Sequence, residues 1–235
     1  MLFSRKGKSE KQEEAELRRR IETAAGTSAL FEHTLCRPSK LASLGGLAEE
    51  LLRRGLTGDF VECGVYKGGS AALIMKLLSD DCHGWLYDSF EGLPQPSELD
   101  GDEALQWEGS CVGAVEDVMR IMSETSIDAS RVTIRKGWFE DSFSAPLPQK
   151  IQFLHIDADW YDSVLLALQT FYPLVVPGGL IVLDDFGHWE GCRHAYYDFC
   201  ESEKIRPLMD RYGNDQAFWF KQQEHNRDGW MHKAL

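Results

Sequence analysis

Short apolar segments alternate with helical patterns along most of this chain, and that alternation restricts its fold more than any other feature. Helical patterns, including 70–78 and 164–172, lie between segments that have the composition of strands. Those segments are 60–65, 84–87, 132–136, 151–156 and 180–183. Repeated alternation of this kind predicts right-handed crossovers and a parallel sheet with helices on both faces. We therefore predict a doubly wound α/β fold.

The N-terminal region differs from this central pattern. The first 20 residues contain seven Lys or Arg and four Glu, which predicts a frayed tail or a solvated helix. Leucines at steps of three and four residues over 38–55 predict an amphipathic helix that leads into the sheet. We expect residues 1–33 to form a tail or helix, and residues 34–235 to form a single domain.

The C-terminal part carries two further signals. A Pro-Gly-Gly sequence at 177–179 predicts a turn into the fifth strand. Segments 206–209 and 217–221, separated by DRYGND, predict a closing hairpin with a Gly-Asn turn.

Composition excludes several classes of partner. The net charge of −13 would repel a phosphate backbone, and no Lys/Arg stripe with interleaved aromatics is present, so we expect no nucleic-acid partner. The six cysteines form no CxxC pair, which predicts reduced thiols in a cytoplasmic protein. The sequence lacks an apolar stretch of roughly 18 residues and the apolar core of a signal peptide, which predicts a soluble, unsecreted protein without a membrane partner.

Acidic residues follow two of the predicted strands. Asp159 comes soon after the segment 151–156, and Asp184 and Asp185 come directly after 180–183. The carboxyl ends of neighbouring parallel strands meet at the edge where open α/β sheets bind ligands. Three carboxylates at that edge would suit a small hard cation, with magnesium favoured and manganese or calcium as alternatives. The alternative roles are a helix cap for Asp159 and a solvated turn for the other two.

The first strand-to-helix turn, ECGVYKGGS, is a candidate ligand loop. Gly64 lets the backbone approach a ligand, and the helix that follows can receive an anion at its N-terminus. The spacing departs from GxGxxG, so a dinucleotide site is not indicated. Asp88, which ends the second strand, could accept both hydroxyls of a ribose, and the two features together predict an adenosyl ligand. Glycines that serve only a tight turn, and an Asp88 that caps a turn, are the alternatives.

Five motifs in this order resemble the macrocin O-methyltransferase family: GDFVECGVYKGG, YDSFEGLP, KGWFEDSF, HIDADWYDS and LDDFGHWEGCRHAYYDF. The resemblance extends from about Thr34 to Lys221. Members of this family methylate sugar hydroxyls of natural products with S-adenosylmethionine and magnesium. The resemblance implies the Rossmann-like methyltransferase version of the doubly wound sheet, with seven strands of which the last is antiparallel.

The resemblance also implies roles for individual residues. Metal ligands fall on Asp159, Asp184 and Asp185, and Asp159 is also implied to abstract the proton from the acceptor. Contacts with S-adenosylmethionine fall on Glu62, Gly64, Ser70, Asp88, Ser89, Gly137 and Trp138. We add Asp157 to the cofactor contacts because of its place at the sheet edge, although it could instead orient neighbouring donors.

This sequence departs from the family pattern near the acceptor. Macrolide-modifying relatives usually have LDGDLYES and GVWRGG, whereas this chain has IDADWYDS and GVYKGG, so that Lys67, Ala158 and Trp160 differ. The carboxylates are kept, and the identity of the acceptor stays open.

Several other residues are weaker candidates for a role in the site. His188 could be a second base or a substrate contact, although a histidine in a loop is more often a solvated bystander. His155 lies within a strand and is expected in the core or behind the site. Aromatic residues that could line an acceptor pocket, or belong to the core, are Trp189, Tyr196, Tyr197, Trp219 and Phe220.

A polar insertion, LPQPSELDGDEALQWEGS, lies between the second and third strands. Its length and its Pro and Gly boundaries predict a lid over 94–109 that closes on cofactor and acceptor.

We therefore expect a magnesium-dependent O-methyltransferase that uses S-adenosylmethionine and acts on a hydroxyl of a sugar or glycosylated natural product. The alternatives are a non-catalytic relative that binds an adenosyl ligand, a methyltransferase for a non-sugar diol or phenol, and a nicotinamide oxidoreductase. The last is disfavoured because the first loop lacks GxGxxG. The sequence leaves open whether the protein forms a homo-oligomer.

Overall fold

The structure is a computed structural model that describes residues 10–222, and it contains one seven-stranded sheet. The strands are β1 Asp59–Cys63, β2 Gly84–Asp88, β3 Val132–Lys136, β4 Ile151–Ile156, β5 Val175–Leu183, β6 Asp210–Tyr212 and β7 Gln216–Phe220. Their order across the sheet is β3-β2-β1-β4-β5-β7-β6. Strands β1 to β5 pair in parallel, whereas β7 is antiparallel to both β5 and β6. The predicted Rossmann-like methyltransferase sheet is thus confirmed.

Seven α-helices accompany the sheet within the described residues. They are α1 Glu10–Ala25, α2 Pro38–Arg54, α3 Gly69–Leu77, α4 Val115–Glu124, α5 Phe139–Ser142, α6 Tyr161–Phe171 and α7 Glu190–Ser202. None of the described helices combines the length and the apolar character that crossing a membrane would need. Helix α2 begins with Pro38 in its first turn and ends at Gly55, whose φ of 66° is left-handed.

The core consists of two apolar clusters, one on each face of the sheet. Helices α1 to α4 pack with Phe60 and Phe153 on one face. Helices α6 and α7 pack with Val61 and Leu154 on the other. Neighbouring residues of one strand point to opposite faces, and strands covered on both sides therefore have continuous apolar sequences. This explains why the central strands could be recognised from short apolar runs.

The N-terminal helix packs on the domain. Ile21 and Ala25 of α1 are buried in the same cluster as Leu41 and Leu44 of α2. Of the two alternatives for this region, the helix is therefore correct for the described residues, and one face of it is covered. The predicted boundary between residues 1–33 and 34–235 remains a prediction.

Strand β5 is longer than predicted. It begins at Val175, so Pro177 to Gly179, expected as a turn, lie within it. The register against β4 jumps from Ile151 opposite Val175 to Phe153 opposite Leu180. The extra residues form an irregularity in the strand, which a proline and two glycines tolerate.

The C-terminal hairpin is displaced from its predicted position. Its first strand is Asp210–Tyr212, and the prediction of a strand over 206–209 was wrong. Pro207 has no N–H to give to a strand partner, and Leu208 is 75 % exposed, so this segment has little reason to pair. Gly213 and Asn214 form the turn, as expected, with Gly213 at a left-handed φ of 63°.

Candidate active site

A cavity of about 450 Å³ lies at the carboxyl edge of the parallel strands. Its volume is within the range usual for small-molecule sites. Residues that follow β1, β2, β4 and β5 line it, together with the segment 33–37 ahead of α2. This is the edge at which open α/β sheets bind their ligands.

At Gly64, the ends of β1 and β4 approach so closely that no side chain fits between them. The φ of Gly64 is +86°, and a Cβ there would lie 1.8 Å from the carbonyl oxygen of Asp157. The N–H of Asp157 donates to the carbonyl of Cys63 at 2.8 Å, which joins the two strand ends. Gly64 therefore serves a close contact between two chain segments, as well as the turn itself.

The carboxylate of Asp88 organises two loops of the cavity wall. Its Oδ2 accepts hydrogen bonds from the backbone N–H groups of Val65 and Tyr66 at 2.7 and 2.8 Å. Its Oδ1 accepts from the N–H of Phe90 at 2.6 Å. The turn-capping alternative for Asp88 is therefore observed, and the residue also faces the cavity.

The other predicted cofactor residues divide into two groups. Ser70, Ser89, Trp138 and Asp157 line the cavity together with Gly64 and Asp88. Glu62 and Gly137 are not among the lining residues of this cavity. The backbone N–H of Gly137 donates to the carbonyl of Asp88 at 3.0 Å, which positions the neighbouring Trp138.

Carboxylates from two separate segments meet at this cavity. Asp157 and Asp159 follow β4, Asp184 and Asp185 follow β5, and all four line the cavity. Asp185 is 8 % exposed, and its Oδ2 has no hydrogen-bond partner within the described part of the chain. Asp159, Asp184 and Asp185 thus line one cavity at the predicted edge, while the described residues whose ligand atoms lie within 4.8 Å of one another are Cys36, Asp157 and Asp184.

The crowding of these carboxylates changes their proton affinities. Burial raises the pKa of the Asp159 carboxyl, and the charge of Asp185 raises it further. Burial together with the charge of Asp184 likewise raises the pKa values of Asp157 and Asp185. Like charges held close together resist simultaneous ionisation.

Lys40 of α2 reaches into the acidic cluster. Its Nζ donates a hydrogen bond to Oδ2 of Asp184 and lies 3.8 Å from Oδ1 of Asp185. Burial would lower the pKa of Lys40, but the charges of Asp184 and Asp185 raise it above its ordinary value. Burial would raise the pKa of Asp184, but His155 and Lys40 together hold it below its usual range. This pair is therefore ionised.

A buried row of polar side chains lies beneath the cavity. Nδ1 of His155 is 2.8 Å from Oε1 of Glu62, and its Nε2 is 3.5 Å from Oδ1 of Asp184. Nε2 of Gln216 donates to the same Oδ1 of Asp184 at 2.9 Å. Burial would lower the pKa of His155, but the two acids raise it to about 9. The expected place of His155 in the core behind the site is confirmed.

Three tryptophans pack in a row beside the site. The rings of Trp160 and Trp189 meet edge to face at 4.9 Å, and Trp107 meets Trp189 at 6.4 Å. Trp107 and Trp189 line the cavity, as does His188.

Most of the aromatic residues proposed for the acceptor pocket lie elsewhere. Tyr196 and Trp219 are buried against each other in the core, and Tyr197 is 59 % exposed. The ring of Phe220 packs under the guanidinium of Arg54. Among these candidates, only Trp189 faces the cavity that the described residues form.

The insertion proposed as a lid is docked on the domain. It contains two short 3-10 helices, Glu98–Asp100 and Asp102–Trp107. Asp100 is buried and accepts a hydrogen bond from the backbone N–H of Tyr161 at 2.7 Å, at the start of α6. Leu93, Pro94 and Trp107 bring the segment to the cavity. Its closure on ligands remains a prediction.

Sequence reasoning missed the lining residues of the N-terminal segment. His33, Cys36, Arg37 and Lys40 all face the cavity. The sulfur of Cys36 lies within 4.8 Å of carboxylate oxygens of Asp157 and Asp184. A polar position on an amphipathic helix normally faces solvent, so the pattern around Lys40 carried no signal of this contact.

Comparisons with known proteins agree with this geometry. The sequence profile of the family described as Macrocin-O-methyltransferase (TylF) matches residues 2–221. A similar protein of Streptomyces olivaceus is 8-demethyl-8-(2,3-dimethoxy-alpha-L-rhamnosyl)-tetracenomycin-C 4'-O-methyltransferase. The two sequences are 28 % identical over 198 residues, which cover 80 % of this chain and 75 % of that protein. Demethyldecarbamoylnovobiocin O-methyltransferase of Streptomyces niveus is 27 % identical over 196 residues, again 80 % and 75 % of the two chains.

Among solved structures, the O-methyltransferase NovP has the same fold. It superposes with a TM-score of 0.76 at 24 % sequence identity and covers 89 % of this chain and 99 % of its own. The match of the family profile extends over the strands, the glycine loop and both acidic segments. The chain therefore belongs to the macrocin-O-methyltransferase (TylF) family and is an O-methyltransferase.

Proposed function

We propose that the protein transfers the methyl group of S-adenosylmethionine to a hydroxyl of a sugar carried by a natural product, with a divalent cation held by Asp159, Asp184 and Asp185. One observation carries this proposal: carboxylates that follow two neighbouring strands line the same cavity as the glycine loop and Asp88. The tetracenomycin and novobiocin methyltransferases among its relatives support a glycosylated acceptor.

The cofactor would occupy the part of the cavity beside β1 and β2. Gly64 and Ser70 would meet its methionine part, Asp88 and Ser89 its ribose, and Trp138 its adenine. Asp157 would contact the methionine end. Gly137 and Glu62 would act indirectly, because Gly137 positions Trp138 and Glu62 is fully buried. Oε1 of Glu62 is 2.8 Å from Nδ1 of His155, so Glu62 would act on the site through that ring.

The residues present fit a hard divalent cation. Their donors are carboxylate oxygens, and Oδ2 of Asp185 is buried without a hydrogen-bond partner among the described residues. Cys36 is the softer donor nearby, but burial and the charge of Asp184 raise the pKa of its thiol well above the ordinary value. The three proposed ligands offer hard carboxylate oxygens, and such a set favours magnesium over zinc.

When bound, the cation would supply Lewis-acid chemistry that lowers the pKa of an acceptor hydroxyl. Asp159 would accept the hydroxyl proton, because burial and Asp185 raise its pKa toward the working range of a general base. The acceptor oxygen then forms a bond to the methyl carbon as the carbon–sulfur bond breaks. The products are a methyl ether and S-adenosylhomocysteine, and the proton remains on Asp159.

The tryptophan side of the cavity supports a sugar as the acceptor. Trp107 and Trp189 line it next to Asp159, and Trp107 is 42 % exposed, so a ligand can reach its ring. The flat apolar faces of sugar rings pack well on indole rings. His188, edge to face with Trp189 at 4.5 Å, would contact the acceptor from the same side.

The test is a transfer assay with labelled S-adenosylmethionine, magnesium and paired acceptors. Each pair consists of a glycosylated natural product, such as a rhamnoside, and its own aglycone, with catechol as an added phenolic diol. The proposal expects label in at least one glycoside and its loss when a chelator removes the metal. Transfer to catechol or to an aglycone, with none to any glycoside, would overturn the sugar acceptor. Equal turnover with chelator would overturn the metal.

A further inference from the structure

The amine of Lys40 occupies the acidic cluster from outside the sheet. Lys40 lies in the first turn of α2, and its Nζ donates to Oδ2 of Asp184 and lies 3.8 Å from Oδ1 of Asp185. The lysine side chain is 18 % exposed, whereas that of Asp184 is 2 % exposed. Asp184 is therefore almost completely buried, whereas the Lys40 side chain is partly exposed and borders the cavity.

Both carboxylate oxygens of Asp184 accept hydrogen bonds. Its Oδ1 accepts from Gln216 at 2.9 Å and lies 3.5 Å from Nε2 of His155. Its Oδ2 is held by Lys40. Asp185 differs, since its Oδ2 has no partner among residues 10–222. A metal ion that binds Asp184 directly must therefore compete with the lysine.

We propose that Lys40 is an internal counter-cation that holds the metal-free site together and is displaced from Asp184 when a divalent ion binds. This inference rests on the proposed metal role of Asp159, Asp184 and Asp185. An ammonium and a divalent ion repel strongly at the separation of two ligands on one carboxylate. The lysine stem is long and flexible, so its amine can swing into the cavity while α2 stays in place.

The exchange has a physical reason. Without any cation, several carboxylates would face each other in a largely buried site, which is costly. Lys40 relieves part of this repulsion before the metal arrives. The measured free energy of metal binding would then be the free energy of the metal–carboxylate contacts minus the cost of breaking the Lys40–Asp184 pair.

The first experiment measures Mn²⁺ affinity by the electron paramagnetic resonance of free Mn²⁺, without cofactor or acceptor. Lys40→Met is compared with the wild-type protein and with Arg37→Gln. Arg37 also lines the cavity, and its replacement removes the same charge without touching Asp184. The proposal expects Lys40→Met to bind Mn²⁺ about tenfold more tightly or better, and Arg37→Gln to change affinity by less than about threefold.

The outcomes separate this inference from the function it rests on. If Lys40→Met binds Mn²⁺ with wild-type affinity or more weakly, the role proposed for Lys40 is refuted. The proposed metal site is not affected by that result. An equal gain in both variants also refutes the role of Lys40, because general charge would then suffice. If Mn²⁺ binds to none of the three proteins, the proposed metal site falls as well.

A second measurement needs no substitution and decides the matter if Lys40→Met does not fold. The wild-type protein is treated briefly with an acetylating reagent, with and without Mn²⁺, and acetylated peptides are quantified by mass spectrometry. Lys76, whose Nζ donates to the carbonyl of Thr125 far from the cavity, is the internal reference. Displacement predicts that Mn²⁺ raises acetylation of Lys40 severalfold relative to Lys76. An unchanged ratio in the presence of bound Mn²⁺ would refute the displacement.

Discussion

The indole N–H of Trp189 donates a hydrogen bond to Oδ1 of Asp159 at 2.8 Å. Trp189 lies just ahead of α7, and Asp159 has a left-handed φ of 55° just ahead of α6. The orientation of the proposed base is therefore set by a residue from the second acidic segment. With one oxygen held by the indole, the other oxygen is left for the acceptor or the metal.

Trp189→Phe is expected to lower kcat by roughly tenfold to a hundredfold, as is usual when a partner of a metal ligand is lost. Phenylalanine keeps an aromatic ring beside Trp160, but it removes the indole donor and part of the ring area in the cavity. The KM for S-adenosylmethionine should change little. Steady-state kinetics at saturating magnesium measure both quantities.

A matched control for this variant is Trp85→Phe. Trp85 also donates its indole N–H to a carboxylate, that of Asp59 at 2.9 Å, but this pair lies at the start of β1, away from the carboxyl edge. The control should keep its kcat. A Trp189→Phe enzyme as active as the control would contradict the orienting role.

Asp184→Asn and Asp185→Asn should both abolish metal-dependent turnover but differ in stability. Neutralising Asp184 removes the nearest acidic partner of Lys40 and one of the two acids beside His155. Lys40 then keeps only the more distant Asp185, and the loss should cost about 3 kcal/mol of unfolding free energy. Asp185→Asn removes a charge that raises its neighbours' pKa values, and the metal-free protein should be as stable as the wild type or more so. Urea unfolding in chelator measures this difference. Full activity in either variant would count against the metal site.

Gly64→Ala should destabilise the protein by several kcal/mol or prevent folding. A Cβ at this position would overlap the carbonyl oxygen of Asp157, and the φ is left-handed. Gly46→Ala in α2 is the control, since a Cβ there meets nothing within 4 Å and alanine favours the helix by about 1 kcal/mol. Thermal unfolding of both variants tests this. A Gly64→Ala protein with wild-type stability would show that the strand ends can separate.

Limited proteolysis tests the predicted lid. Cleavage within Pro94 to Gly109 should slow when S-adenosylmethionine and an acceptor are both bound, because the segment lines the cavity. Asp100→Ala, which removes the acceptor for the N–H of Tyr161, should speed cleavage of the free protein. Equal cleavage rates with and without ligands would leave the lid without support.

Much of this fold could be predicted because its signals are local. Strand β4 has the predicted bounds because a strand buried on both faces has a mostly apolar sequence. The edge strand β3 also has the predicted bounds, because Val132 and Ile134 alternate with polar residues. The placement of Asp159, Asp184 and Asp185 at one cavity followed from a topological rule, as parallel strands end at one edge. These inferences needed only sequence neighbours and the handedness of crossovers.

Contacts between distant segments could not be predicted in the same way. Lys40 and Asp184 are 144 residues apart, and the helical pattern around Lys40 is the same whether it meets an acid or water. The hydrogen bonds of Asp88 to the first loop depend on the exact approach of β1 and β2. The core positions of Tyr196 and Trp219 depend on how α7 packs on β7.

The row of Glu62, His155 and Asp184 crosses three adjacent strands under the cavity. The three side chains contact one another, whereas the segments 33–37 and 93–111 lie outside the sheet and contribute lining residues to the cavity. An engineer seeking a new acceptor could therefore graft or randomise those loops while the machinery beneath stays intact. Libraries that reach into the row itself would instead be expected to yield mostly inactive protein.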